Sequence, residues 1–203
     1  MTSRLVHLVR HGETEGESSI RYWGRTDVAL SEFGRAQIRR LGALIAERPV
    51  AAVVHSPLAR AAESAQLLVA ALRSTPPVVE AEPGLAEVDF GALEGLTEPE
   101  IRAAHPEWHA VWRRGDAEAY PGGEGIAAFV ARVVAAFEVV LERHPAGDLL
   151  VVVHRGVIRH ALARLLGPAA HQRHDLGVDL ASVTTVRTGP VPELVAVNVR
   201  AET

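Results

Sequence analysis

The 203-residue chain contains no lysine and no cysteine; its 21 basic side chains other than histidine are all arginine. Without lysine there is no Schiff-base catalysis, no lysine-anchored pyridoxal phosphate and no Walker A loop. Without cysteine there is no disulfide, thiol nucleophile, Cys-type zinc site or iron–sulfur cluster. No apolar run approaches the ~18 residues of a membrane span; the longest candidate, 126–141, is interrupted by Arg132 and Glu138. The net charge of −4 makes no electrostatic case for nucleic acid or an anionic membrane. Repeats, low-complexity tracts and long linkers are missing as well. Codon bias in a GC-rich genome accounts for an exchange of Lys for Arg, but not for where the arginines and the ten histidines stand.

What is present is an ordinary foldable composition, 48% hydrophobic and 23% charged. The length suits one domain, 1–203, able to bury roughly 70% of its unfolded surface. The opening residues reach a charged, patterned stretch by Arg10 and show no apolar signal region, so a cytoplasmic location is expected. Strands and helices alternate. Strands are expected at 5–9, 51–54, 78–79, 149–153, 182–187 and 193–199. Helices are expected at 31–48, ended by Pro49, then from Ser56 (N-cap) and Pro57 (first helical position) to about 73, and at about 124–143 and 156–166. The Gly/Pro-punctuated stretch from 83 to 125 reads as loops with one or two short helices. Continuous Val/Leu runs followed by helices indicate buried parallel strands. The last two strands lack an intervening helix, so at least one should be antiparallel. The expected fold is a three-layer α/β/α sandwich with a mixed, mostly parallel sheet.

Three strands end in a chemical pattern: Arg10-His11-Gly12, His55-Ser56-Pro57 with Arg60 soon after, and His154-Arg155-Gly156. Ligands of open α/β sheets bind beyond the carboxyl ends of the strands. Histidines, arginines and a helix N-terminus would therefore meet at one sheet edge. Helix N-termini and bidentate arginines bind phosphate, and an imidazole beside them can attack phosphorus. Singly, each element is commonplace: a strand-end histidine is more often structural, and an arginine in a first helical turn is usually solvated.

The longer strings change that balance. Arg10-His11-Gly12-Glu13-Thr14 follows the first strand. Then come Gly24-Arg-Thr-Asp27 and Leu30-Ser-Glu-Phe-Gly34-Arg-Ala-Gln37. Ser56-Pro-Leu-Ala-Arg60-Ala-Ala-Glu63-Ser-Ala65 is next, followed by Leu85-Ala-Glu87-Val-Asp-Phe-Gly91-Ala-Leu-Glu94-Gly95, Pro121-Gly-Gly-Glu124 and Val153-His154-Arg-Gly156-Val-Ile-Arg159. In this order, over nearly the whole chain, they resemble the histidine phosphatase superfamily, the phosphoglycerate-mutase-like group. The resemblance implies His11 as the nucleophile, forming a phosphohistidine. It implies Arg10 and Arg60 as clamps on the phosphoryl oxygens, His154 as a donor to the phosphoryl group, and Glu87 as the general acid and then base. No metal or other cofactor is needed, because arginine and histidine supply the positive charge. Asp89 is the fallback for Glu87; on a strand the two would share a face.

There are departures from the family pattern. Many members have Asn seven residues after the signature Arg; here it is Glu17, which would repel phosphate unless it points away or pairs with Arg21 or Arg25. Arg155 follows the second histidine, where a small or polar residue is usual. Gly125 replaces a serine. Glu17, Trp23, Gly24 and Arg155 are the candidate substrate contacts. His105 and His109, at i and i+4, have metal-binding spacing but no evident third ligand; Pro106 suits a helix start. His171 and His174 read as loop surface. The region 89–125, with Trp108, Trp112, Arg113, Arg114 and Tyr120, reads both as a packed amphipathic lid and as a specificity-determining cap.

The reading is a metal-independent phosphomonoesterase acting on a small phosphorylated metabolite. The alternatives are a cofactor-dependent phosphoglycerate mutase, whose resembling members carry a longer insertion before the second histidine, and a catalytically silent phospho-ligand-binding module. Neither nucleic acid nor membrane is an expected partner; a homodimer is open by resemblance.

Overall fold

A computed structural model describes residues 3–172 and 176–201. Six strands form one sheet: β1 (Leu5–Arg10), β2 (Val50–His55), β3 (Val78–Ala81), β4 (Asp148–Val153), β5 (Val183–Arg187) and β6 (Glu193–Val199), in the order β3-β2-β4-β1-β5-β6. The first four pair in parallel. β5 runs antiparallel to both β1 and β6, as the missing helix between the last two strands requires. β4 has five consecutive buried residues, the pattern of a strand covered on both faces.

Helices α1 (Glu32–Ile45) and α2 (Ala59–Ala71) cover one face; α5 (Ile126–Arg143) and α6 (Arg155–Leu166) cover the other. Alternation along β1 divides its side chains between the two cores. Val6 and Leu8 join the core under Phe129, Val133 and Phe137, and Val9 joins the one under Ile38, Leu41 and Leu68. The expected sandwich is thus the observed fold. Between β3 and α5 lie α3 (Glu98–Ala104), opened by a capping box at Thr97 and Glu100, and α4 (Pro106–Arg114), closed by Gly115 in the left-handed region. No residue of α4 is buried.

Three boundaries differ from expectation. α1 stops at Ile45 rather than near Arg48, since Arg48 N–H turns back to the Ile45 carbonyl at 3.0 Å. α5 starts at Ile126. Ser56 is not the N-cap of α2: that position is Leu58, whose side chain makes no cap. A distant side chain supplies it instead, the Asp27 carboxylate accepting from Ala59 N–H at 2.8 Å. The polar loop expected at His171 and His174 lies outside the described side chains.

Candidate active site

The sheet builds the site by register. Arg10 is level with Val153 on the adjacent parallel strand, so the next residues, His11 and His154, leave the sheet side by side. His11 N–H still donates to the Val153 carbonyl at 3.1 Å, and Ser56 N–H donates to the Val152 carbonyl at 3.0 Å, which sets Ser56, the residue after β2, beside His154. The imidazoles of His11 and His154 lie 5.1 Å apart, edge to face. Arg10, His11, Arg60, Glu87 and His154 are brought together at this edge. His11, Glu87 and His154 are nearly buried and Arg60 is fully so.

Each is held in a definite orientation. His11 Nδ1 lies 2.7 Å from the Gly12 carbonyl. A carbonyl only accepts, so Nδ1 carries the proton and Nε2 the lone pair. Arg60, in the first turn of α2, donates through Nη1 to the Thr26 carbonyl (3.0 Å) and through Nη2 to those of Trp23 (3.1 Å) and Gly24 (2.7 Å). Arg10 donates through Nη1 to Val178 (2.9 Å) and through Nη2 to Ser18 (3.4 Å). His154 Nε2 meets the Ser56 hydroxyl at 2.7 Å. The carboxylate of Glu87 accepts from Gly156 N–H (3.0 Å) and Val88 N–H (3.1 Å). Three buried nitrogens of this cluster have no hydrogen-bond partner among the described residues: Arg10 Nε, Arg60 Nε and His154 Nδ1.

Burial dominates the electrostatics. It drives both His11 and His154 well below the usual imidazole range, and the charges of Arg60 and Arg10 push the same way. Burial raises the Glu87 pKa against the opposing pull of its two backbone donors and both arginines. It also lowers Arg10 to about 10, helped by the like charge of Arg155. The site therefore pairs neutral imidazoles with cationic guanidiniums.

The other candidates stand around this group in different ways. Arg155 opens α6, exposed, with its charge felt at Arg10. Trp23 and Gly24 reach the group through their carbonyls on Arg60. The Trp23 indole N–H donates to the Gly16 carbonyl, and a Cβ on Gly24 would meet the Val88 carbonyl oxygen at 1.8 Å. Glu17 is exposed and paired with Arg21 at 3.2 Å. Residues 87–90 do not form a strand, so Asp89 and Glu87 share no face; the Asp89 carboxylate accepts from Gly91 N–H at 2.8 Å. His105 ends α3 and His109 sits on α4 beside Glu98 at 3.4 Å; no group of three metal-binding side chains occurs among the described residues.

Motif reading overlooked Glu94. Its carboxylate accepts from the N–H groups of Gly24, Arg25, Thr26 and Phe90, and so orders the loop whose carbonyls hold Arg60. The signal was its place in the Glu87–Gly95 string. A cleft of about 600 Å³ is lined by Arg25, Leu58, Asp89, Gly122, Gly123 and Glu124, and by none of the five clustered residues. A ladder of rings links Tyr22 to α4: Tyr22 on Phe90 (5.3 Å), Phe90 on Tyr120 (4.9 Å), Tyr120 on Trp108 (5.6 Å) and Trp108 on Trp112 (5.9 Å).

The family model of the histidine phosphatase superfamily, branch 1, matches residues 6–199. The chain belongs to the histidine phosphatase superfamily. A bifunctional protein of Mycobacterium tuberculosis is 36% identical over 90% of this chain and 49% of its own length, so the chain spans about half of that relative. An acid phosphatase of the same organism is 36% identical over 77% of this chain and 73% of its own. The superfamily relatives also include 2,3-bisphosphoglycerate-dependent phosphoglycerate mutases. Among solved structures, the alpha-ribazole phosphatase of Shigella flexneri superposes with a TM-score of 0.83 at 27% identity, covering 98% of each chain. As for membranes, no helix among the described residues is long and apolar enough to cross one.

Proposed function

We propose that this chain is a phosphatase, a metal-independent phosphomonoesterase for a small phosphorylated metabolite, working through a phosphohistidine. One observation carries the reading. The Nδ1–Gly12 bond leaves His11 Nε2 as a free lone pair, and the same cluster holds three buried nitrogens without a partner among the described residues, two of them on guanidiniums. Buried polar groups are nearly always satisfied, and a phosphoryl group has oxygens to accept from both guanidinium N–H groups.

In the first step His11 Nε2 forms a bond to phosphorus as the ester P–O bond breaks. Glu87, whose acid form burial favours, gives its proton to the leaving oxygen. Arg10, Arg60 and His154 stabilise the charge spread over the transferring oxygens. In the second step Glu87, now ionised, takes a proton from water, the water oxygen attacks phosphorus, and the P–N bond breaks. Inorganic phosphate leaves and both groups return to their starting states. Residues 1–203 act as one unit in this reading, with 89–125 as the cap over the leaving group.

The test is phosphate release from a panel of phosphorylated metabolites, with and without chelator, for the parent and His11→Ala. Turnover by the parent in EDTA, an acid-labile labelled protein, and a loss of at least about 10³-fold in the variant are expected. Equal rates in the two proteins would leave only a phospho-ligand-binding module. The mutase relatives keep a second reading open: transfer of phosphate from a bisphosphate to another hydroxyl. Rapid release of inorganic phosphate without transfer eliminates it.

A further inference from the structure

We propose that Ser56 is a positioning residue: its hydroxyl donates to Nε2 of His154 and so fixes the tautomer in which His154 presents Nδ1–H to the phosphoryl group. The first half concerns the unliganded protein alone; the second rests on the proposed phosphatase reading.

The argument is a proton inventory of a sealed space. Ser56 is fully buried and His154 is 1% exposed, so neither draws on bulk water. Among the described residues, Ser56 Oγ makes two contacts outside its own backbone: Leu58 N–H donates to it at 3.3 Å, and His154 Nε2 lies at 2.7 Å. The hydroxyl has one proton to place, and an amide N–H cannot receive it. If Nε2 bore the imidazole proton, Oγ would face two donors. Its own proton would then be stranded, and the buried Nδ1 would be left as an acceptor without a donor. If Ser56 donates, Oγ is satisfied on both sides and a single group is left over, Nδ1–H. Each stranded buried polar group carries an uncompensated desolvation cost, so the arrangement with one orphan wins over the arrangement with two. The doubly protonated ring, which would make both nitrogens donors, is opposed by burial and by the flanking Arg60 and Arg10.

The remaining orphan is therefore a donor, and it belongs to the same cluster as the orphaned Nε–H groups of Arg10 and Arg60. His11 and His154 thus present opposite characters, a lone pair from one and an N–H from the other, although both rings carry their proton on Nδ1. The choice is made by neighbours on two different strand ends: the Gly12 carbonyl for His11 and the Ser56 hydroxyl for His154.

The experiment is long-range ¹H–¹⁵N correlation of histidine-labelled protein without phosphate, His154 being assigned from the spectrum of His154→Gln. Parent protein should show Nδ1 protonated and Nε2 as the bare nitrogen; the reverse pattern overturns the proposal with no variant needed. In Ser56→Ala, His154 should move to a mixture of tautomers, while His11 keeps its pattern. An unchanged His154 in that variant overturns the role of Ser56. Inorganic phosphate should bind Ser56→Ala about tenfold more weakly, the loss of roughly one hydrogen bond to an anion. A parent that shows the expected tautomer but releases no phosphate from any ester would refute the phosphatase reading and leave the Ser56 assignment standing.

Discussion

His11 and His154 face one another at 5.1 Å and are tethered by opposite nitrogens, His11 by Nδ1 and His154 by Nε2. Two chemically identical side chains are thereby given unlike free ends. One can form a bond to phosphorus; the other can only donate a hydrogen bond. Swapping the tethers would swap the roles, which is why the neighbours of each ring matter as much as the rings.

Glu87 carries the first prediction. Burial raises its pKa, so its acid form survives above the usual carboxylate range. The rate on alkyl phosphates should then fall as pH rises through the folded-state pKa. The same sign applies to stability: the protonated form favours folding below the unfolded value, and the advantage is lost as pH climbs through the raised one. Glu87→Gln should lose this limb of the pH–rate profile and about 10²–10⁴-fold in rate on poor leaving groups, while phosphate still binds. An unaltered rate would transfer the acid role to Asp89.

Gly156 gives a second. A Cβ there would come within 2.5 Å of Glu87 Oε1 and 3.1 Å of the Phe129 ring. The clash is with the end of a flexible side chain, so Gly156→Ala should fold and simply displace the carboxylate. Misplacing a catalytic group by about 1 Å costs up to about 10²-fold. We expect a lower kcat for alkyl phosphates and a smaller loss for aryl phosphates, whose leaving groups need less protonation. Equal losses on both would point to general damage instead.

The third concerns Glu94, which touches no reacting atom. Glu94→Gln places an amide NH₂ among backbone donors that now face carboxylate oxygens. Stability should drop by about 1–3 kcal/mol. The 23–26 carbonyls would loosen around Arg60, so KM should rise more than kcat falls. Denaturant melts and steady-state kinetics on the one variant check both halves; a stable protein with unchanged KM contradicts the assignment.

The fourth lies away from the site. His7 is fully buried on β1, bonded through Nδ1 to Thr185 Oγ1 at 2.9 Å, and burial followed by the charge of Arg48 lowers its pKa to about 4. A depressed folded pKa gives stability that is full above the unfolded value, near 6.5, and lost as pH falls toward about 4. The size is roughly 3 kcal/mol over that window. His7→Gln should be less stable than the parent at pH 7, with the gap narrowing by pH 5 in urea titrations. A constant gap would show that His7 does not titrate on unfolding.

Much of the architecture was legible because its signals are local. Valine runs mark the buried strands, and the absent helix after β5 accounts for its antiparallel pairing with β6. Ser56 shows where such reading fails. Next to Pro57 it has the signature of an N-cap, yet Asp27 reaches in from another loop to serve α2, freeing the serine for His154. Glu94 was overlooked for a related reason: its four backbone partners include three residues some 70 positions away. Residue type announces which groups can bond; only the fold decides which of several eligible partners arrives. The Asp89 face argument assumed a strand that the chain does not form there.

The central pairing of β1 with β4 has a consequence for biosynthesis. Residues 5–10 are made well before their parallel partner at 148–153, which follows roughly 140 residues later. Until then β1 has neither its β4 nor its β5 neighbour, and His11 has no His154 beside it. Non-local parallel pairing of this kind is slow and leaves apolar edges waiting. Chains stalled before residue 148 should therefore be prone to stick to other chains, and would carry His11 without the His154 ring that faces it.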